Sequence, residues 1–216
     1  MSCPNTLLPR CPKFDLYLVT DRKQAAGRDL LWVLEQALDG GVKGIQLREK
    51  DLGGGQLFHL AERIKALCDA HHASLLINDR VDVAMAVDAD GVHLGGASIP
   101  VRTARKLMGD NKLIGVSTHS LKEAEESEQA GADFLVFGPV FFTSSKAPYG
   151  EPQGLGPLKK VVEKLSIPVY SIGGIKADNI AEVKATGVRG VSLISAIISV
   201  TYPLAATEEI LRSLER

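Results

Sequence analysis

The sequence lacks any long apolar run. No apolar stretch in its 216 residues approaches the ~20 needed to cross a bilayer. The first residues, MSCPNTLLPRCPKF, contain no continuous apolar segment of the secretory kind. No membrane partner is expected, and the expected location is the cytoplasm. Cysteine is scarce: Cys3, Cys11 and Cys68 are odd in number and have no metal-ligand spacing, which fits reduced thiols rather than a disulfide framework. Neither sign of charge is in excess, with 25 basic and 26 acidic residues, so no nucleic-acid partner is expected. No G-x-G-x-x-G follows the first apolar run, which ends on Thr20-Asp21-Arg22, so a dinucleotide fingerprint is absent. Low-complexity tracts, linkers and composition shifts are also missing. The chain reads as one domain over 1–216, with the prolines of 1–13 marking a loose arm.

What is present is alternation. Hydrophobic residues make up 45% of the chain, enough for one large core. Apolar runs of strand length fall at Asp15–Thr20, Gly44–Leu47, Ser74–Ile77, Gly91–Leu94, Leu113–Val116, Phe134–Phe137, Ile167–Ile172 and Gly190–Ile194. Between them lie segments of helical periodicity: Asp29–Leu38, Gln56–Ala70, Val81–Val87, Val101–Met108, Leu121–Ala130, Leu158–Leu165 and Lys176–Ala185, with Pro203–Leu214 at the end. Four junctions share one form: GGVKGIQL at Gly40, DADGVHL at Asp88, AGADFLVF at Ala130 and TGVRGVSL at Thr186. Each ends a helix on Gly or a turn residue and enters an apolar strand about three residues later. Strict βα alternation implies right-handed crossovers and a parallel sheet. Eight units argue for closure as a (β/α)8 TIM barrel; the competing architecture is an open doubly wound sheet.

In such a barrel the functional residues follow the strands. Gln46, Arg48 and Lys50 alternate in QLREK, and period two predicts that they share a face. Two cations at a barrel mouth call for an anion such as diphosphate, or for a salt bridge to Asp79 or Glu49. Asn78-Asp79 offers oxygen ligands to Mg²⁺, or a cap for the helix after it. Thr143–Lys146 reads as a hydroxyl-and-lysine lid over anions, or as a solvated loop. His119 is a candidate proton carrier or a hydrogen-bonded structural residue, and His93 is expected in the core or lining the barrel. Gly173-Gly174 and Ser195-Ala196 end the last two strands on small residues. These let backbone N–H groups approach a phosphate, and they also suit an ordinary tight turn.

Several ordered motifs then resemble the thiamine phosphate synthase/TenI superfamily: QLREK, IND at Ile77, GVHLG at Gly91, GVSTHS at Gly115, GPVF at Gly138, T-x-S-K at Thr143, IGGI at Ile172 and SLISAI at Ser192. The resemblance implies an oligomeric TIM barrel acting on small phosphorylated substrates. In the synthase branch a hydroxymethylpyrimidine diphosphate is coupled to a thiazole phosphate with release of diphosphate. The resemblance then implies that Gln46, Arg48, Lys50, Asn78, Ser117 and Lys146 hold the pyrimidine diphosphate and that Asp79 binds Mg²⁺. Thr143, Ser145, Gly173, Gly174, Ile194 and Ser195 would hold the thiazole phosphate. One departure stands out. The synthase pattern after strand 4 is GVHLGQ-x-D, whose Asp is a second Mg²⁺ ligand, whereas this chain reads GVHLGGAS, with Ser98 at the Asp position. THS around His119 and SKAPYGEPQG look more like TenI, the metal-free thiazole tautomerase, in which a His shuttles a proton. QLREK and Asn78-Asp79 favour the synthase. A non-enzymatic phosphate-ligand sensor on the same fold is the third reading.

Overall fold

The computed structural model describes residues 11–143 and 151–215. Eight parallel strands close in sequence order: β1 Leu16–Val19, β2 Gly44–Leu47, β3 Ser74–Asn78, β4 Gly91–Leu94, β5 Leu113–Thr118, β6 Phe134–Phe137, β7 Val169–Ile172 and β8 Gly190–Leu193. The helices around them are α1 Leu30–Asp39, α2 Gly54–Ala70, α3 Val81–Ala86, α4 Val101–Met108, α5 Leu121–Gln129, α6 Leu155–Lys164, α7 Ile180–Lys184, α8 Ser195–Ile198 and α9 Pro203–Glu215. The expected closed barrel is what forms, and the open doubly wound sheet is excluded.

The junctions explain how the units repeat. After α1, α3, α5 and α7 the chain passes through Gly41 (φ 106), Asp88 (φ 51), Gly131 (φ 99) and Gly187 (φ 88), all left-handed. That conformation ends a helix and turns the chain back into the sheet. Strand entry is then fixed by side chains. The Asp90 carboxylate accepts from the Leu75 N–H at 2.9 Å and the Asp133 carboxylate from the Ile114 N–H at 2.7 Å. Helix starts follow capping rules: Asp29 caps α1 by accepting from the Leu31 N–H, and Ser120 caps α5 by accepting from the Glu123 N–H.

Strand pairing sorts residues between two faces. The register Val19↔Gln46, Gln46↔Leu76, Leu76↔Gly91 and His93↔Gly115 carries one face around the barrel interior. The opposite face, with Leu18, Ile45, Ile77, Val92 and Leu135, joins the apolar faces of the helices in the larger core. A smaller cluster of Phe14, Tyr17, Leu76, Phe134, Val136 and Tyr170 fills the barrel itself. Phe14 lies just before β1, at the N-terminal end of the strands. Its ring occupies the space a Cβ on Gly44 would need, at 2.5 Å, and stacks on Tyr17 with centroids 5.1 Å apart. The interior is therefore packed, not a pore.

Several local expectations are corrected. The helix expected from Lys176 starts only at Ile180, because Asn179 Oδ1 takes the Lys176 N–H and Asn179 Nδ2 the Gly174 carbonyl, which makes a turn. α6 begins at Leu155, three residues before the apolar stripe shows itself. A 3-10 turn, Arg22–Gln24, and the short α8 had no periodic signal. Trp32, the lone tryptophan, is expected to pack in or near the first helix but is 42% exposed on α1. Residues 1–10 of the expected arm lie outside the described residues, while Pro12 is already buried.

Candidate active site

Because all eight strands run parallel, everything that follows a strand gathers at one end of the barrel. Cross-links between neighbouring loops hold this rim. The Arg48 N–H donates to Thr20 Oγ1 at 2.9 Å, joining the ends of β1 and β2. Ser98 donates its hydroxyl proton to Asp79, joining β3 and β4. His119 Nδ1 donates to the Gly138 carbonyl, joining β5 and β6. The Val140 N–H donates to the Ile172 carbonyl at 2.8 Å and the Phe141 N–H to that of Gly173 at 3.0 Å, joining β6 and β7. Arg28 donates to the carbonyls of Ile198 and Val200, joining the β8 side to β1.

The QLREK stretch departs from its expected alternation. β2 ends at Leu47, so period two does not extend to Arg48 and Lys50. Gln46 is buried, Arg48 half-buried and Lys50 exposed. Glu49 is the residue that turns in, at 5% exposure. Its carboxylate receives the Arg22 N–H at 3.0 Å and the Arg22 guanidinium at 3.0 Å. Arg22 also grips Asp51 at 2.6 and 2.9 Å, and these carboxylates raise its pKa, Asp51 contributing most. The salt bridge weighed for Arg48 and Lys50 is thus not made to Glu49 or Asp79. Among the described residues their charged ends have no ion-pair partner. Arg22 was missed in the sequence because it sits in an irregular turn with no pattern.

Asp79 stands at φ 61, an uncommon conformation for a residue with a side chain. Its own N–H donates to the His93 carbonyl at 2.9 Å. The carboxylate does not cap α3, whose N-cap is Arg80 with no side-chain bond, so the capping alternative falls. Instead it accepts from Asn78 Nδ2 at 2.7 Å and from the Ser98 hydroxyl, while Ser98 accepts from the Gly95 N–H at 2.7 Å. No group of three or more His, Cys, Asp or Glu among the described residues could hold a metal alone. A single held carboxylate flanked by amide and hydroxyl oxygens suits a Mg²⁺ ion that takes most of its ligands from water and phosphate.

Deeper in, His93 is 1% exposed, as expected for a barrel-lining residue. Its Nε2 lies 2.9 Å from Ser117 Oγ and its Nδ1 3.5 Å from the Tyr17 hydroxyl. Gln46 Nε2 donates to that hydroxyl at 3.3 Å. Burial is the main cause that lowers His93 to about 3; Asp79 pulls upward and Arg48 adds to the lowering. The imidazole is therefore neutral. Arg48 and Asp79 follow the neighbouring parallel strands β2 and β3, and so stand at the same end of the barrel. Burial also raises the Tyr17 phenol, which keeps its proton. His119 is exposed, with its N–H on Glu123 Oε2 at 2.8 Å.

On the far side, Gly173 (φ 102) and Gly174 (φ 67) require glycine. A Cβ on Gly173 would meet Pro139 at 2.6 Å, and one on Gly174 would meet Phe141 at 2.6 Å. The Gly pair thus seats the β6 loop, so a bulky residue there disturbs that loop before it reaches any ligand. Their N–H groups, and those of Ser195 and Ala196 after the N-cap Ile194, have no partner among the described residues. Thr143 Oγ1 is buried without a hydrogen-bond partner among those residues. Ser145 and Lys146 lie outside the described residues.

Residues 16–197 match the family model described as thiamine monophosphate synthase. A relative in Geobacter sulfurreducens is 54% identical over 186 residues, 86% of this chain and 87% of its own length. The thiamine-phosphate synthase of Clostridium novyi is 46% identical over 185 residues, 86% of this chain and 91% of its own. Among solved structures, the thiamine phosphate pyrophosphorylase from Pyrococcus furiosus superposes with a TM-score of 0.87 at 39% identity, covering 94% of this chain and 96% of that one.

Proposed function

Because the chain belongs to the thiamine monophosphate synthase family, we propose that it is a transferase of thiamine biosynthesis. It couples a hydroxymethylpyrimidine diphosphate to a thiazole phosphate and releases diphosphate. The observation that carries this reading is that two cations with no ion-pair partner among the described residues, Arg48 and Lys50, share the rim with a held carboxylate, Asp79. A departing diphosphate needs such a setting; a tautomerase has no diphosphate to neutralise.

The roles carry over from the family resemblance. Gln46, Asn78 and Ser117 hold the pyrimidine end. Arg48, Lys50 and Lys146 take the diphosphate, Arg48 as a fork and the lysines as point charges. Asp79, kept in place by Asn78 and Ser98, would hold Mg²⁺. Mg²⁺ held there would supply positive charge to offset that of the leaving diphosphate. The thiazole phosphate rests on the N–H groups of Gly173, Gly174 and Ser195, with Ile194 and Thr143 around it, and Ser145 is assigned to it by the family resemblance alone. The C–O bond to diphosphate breaks to leave a carbocation at the pyrimidine methylene, and the thiazole ring nitrogen then attacks it. His119, whose Nδ1 is committed to Gly138, needs no proton-transfer role here.

The test uses pure protein, both phosphorylated substrates and Mg²⁺. Coupled product is expected, and Asp79→Asn or EDTA should each slow coupling by ~10² or more. If no coupled product forms at saturating Mg²⁺ while His119-dependent aromatisation of a thiazole phosphate carboxylate proceeds in EDTA, the protein is a tautomerase. Binding without turnover of either kind makes it a sensor.

A further inference from the structure

Two of the proposed pyrimidine-binding side chains, Gln46 and Ser117, come from strands on different sides of the barrel. They are joined through its interior by two residues that no role above uses. Gln46 Nε2 lies 3.3 Å from the Tyr17 hydroxyl, which lies 3.5 Å from His93 Nδ1, and His93 Nε2 lies 2.9 Å from Ser117 Oγ. Tyr17 is fully buried and His93 nearly so. Both rings are wedged by aromatic neighbours: Phe134 meets Tyr17 edge-on at 5.6 Å and His93 at 6.0 Å. Gly115 leaves the space for this, since a Cβ there would stand 2.7 Å from His93 Nδ1 and 2.4 Å from the Phe134 ring. An arrangement so tightly held does more than fill volume, because each buried polar atom in it has a partner.

We propose that Tyr17 and His93 are positioning residues that give this chain a single direction, running from the Gln46 amide through Tyr17 and His93 to Ser117, so that the Ser117 O–H points into the mouth as a donor. The proposal rests on the synthase reading for the identity of the ligand. Its logic is proton counting. The Tyr17 oxygen accepts from Gln46, so its own proton goes to His93 Nδ1, its other hydrogen-bond partner among the described residues. The His93 ring is 1% exposed and both its nitrogens face hydroxyls rather than carboxylates, so it carries one ring proton, and with Nδ1 accepting from Tyr17 that proton sits on Nε2. Nε2–H donates to Ser117 Oγ, which frees the Ser117 proton. The reverse order would spend the Ser117 proton on His93. It would turn only lone pairs toward a ligand rich in acceptors: pyrimidine nitrogens and diphosphate oxygens. An acceptor-rich ligand selects the forward order.

The ring nitrogens of ¹⁵N-histidine-labelled protein report the tautomer directly, without turnover. The probe is Mg²⁺ with inorganic diphosphate. The expected result is a His93 signal with Nε2 protonated and Nδ1 bare, kept in the probe-bound protein. Nδ1 protonated in that state overturns the proposal, whatever reaction the protein catalyses. Kinetics supply the second arm. Tyr17→Phe deletes the donor to Nδ1 and should raise KM for the pyrimidine diphosphate about tenfold, the scale of one hydrogen bond, with a smaller change in kcat. In a Ser117→Ala background the same substitution should add less than about twofold, because the group it orients is gone. Effects that multiply in full would overturn the coupling. Absence of coupled product with the forward tautomer intact would instead count against the synthase reading alone.

Discussion

At the scale of single residues, Ser98 shows how one substitution is absorbed. Where the family resemblance calls for a second carboxylate, this chain has a hydroxyl, and the structure gives that hydroxyl a task. It donates to Asp79 and accepts from the Gly95 N–H, fixing the carboxylate that remains. The departure itself was legible in GVHLGGAS; the bond was not, because Asp79 and Ser98 are 19 residues apart and meet only once β3 and β4 pair. Restoring the carboxylate with Ser98→Asp sets two negative groups side by side. In EDTA the variant should melt several degrees below the parent, corresponding to roughly 1–2 kcal/mol of repulsion and lost hydrogen bonding. Mg²⁺ should recover that loss, while the melting point of the parent protein should hardly respond to it. Thermal melts with and without Mg²⁺ measure this. Equal sensitivity of both proteins to Mg²⁺ would show that Ser98 does not occupy a ligand position.

At the scale of elements, the repeating junction was the most readable feature. Gly and Asp at the helix ends announced the left-handed turns seen at Gly41, Asp88, Gly131 and Gly187. Where legibility failed, side chains had overridden periodicity. Asn179 shortens the helix before β8, and Glu49 breaks the alternation of QLREK by turning toward Arg22. One such side chain holds two units together. Arg105, on α4, donates to the Lys112 carbonyl at 2.7 Å, the Gly109 carbonyl at 3.1 Å, the Gly131 carbonyl at 3.3 Å and the Asp133 carboxylate. The Arg105 and Asp133 side chains are only 15% and 6% exposed. Arg105→Met should therefore cost about 3 kcal/mol, the scale for breaking a buried ion pair from one side. Urea titration should show the midpoint falling with the slope unchanged. A loss below about 0.5 kcal/mol would place this residue among ordinary surface charges.

At the scale of the whole molecule, closure followed from eight βα units, and so did the gathering of polar groups at one end. What the periodicity could not reveal was the floor. Phe14 precedes the first strand, outside any alternating pattern, yet its ring stacks on Tyr17, meets Phe134 edge-on at 5.9 Å, and fills the space beside Gly44. Tyr170 fastens it by donating to the Phe14 carbonyl at 2.6 Å. The barrel is consequently a cup with one lip. For a synthase, both reactants arrive and both products depart across the same lip, and whichever molecule lies deeper cannot leave before the shallower one has gone. Traffic of this kind has a kinetic cost. The rate of coupling should pass through a maximum and decline as thiazole phosphate is raised, because a fresh molecule crowds the shared lip before diphosphate has escaped. A rate that climbs to a flat plateau would mean that the two ligands pass each other freely.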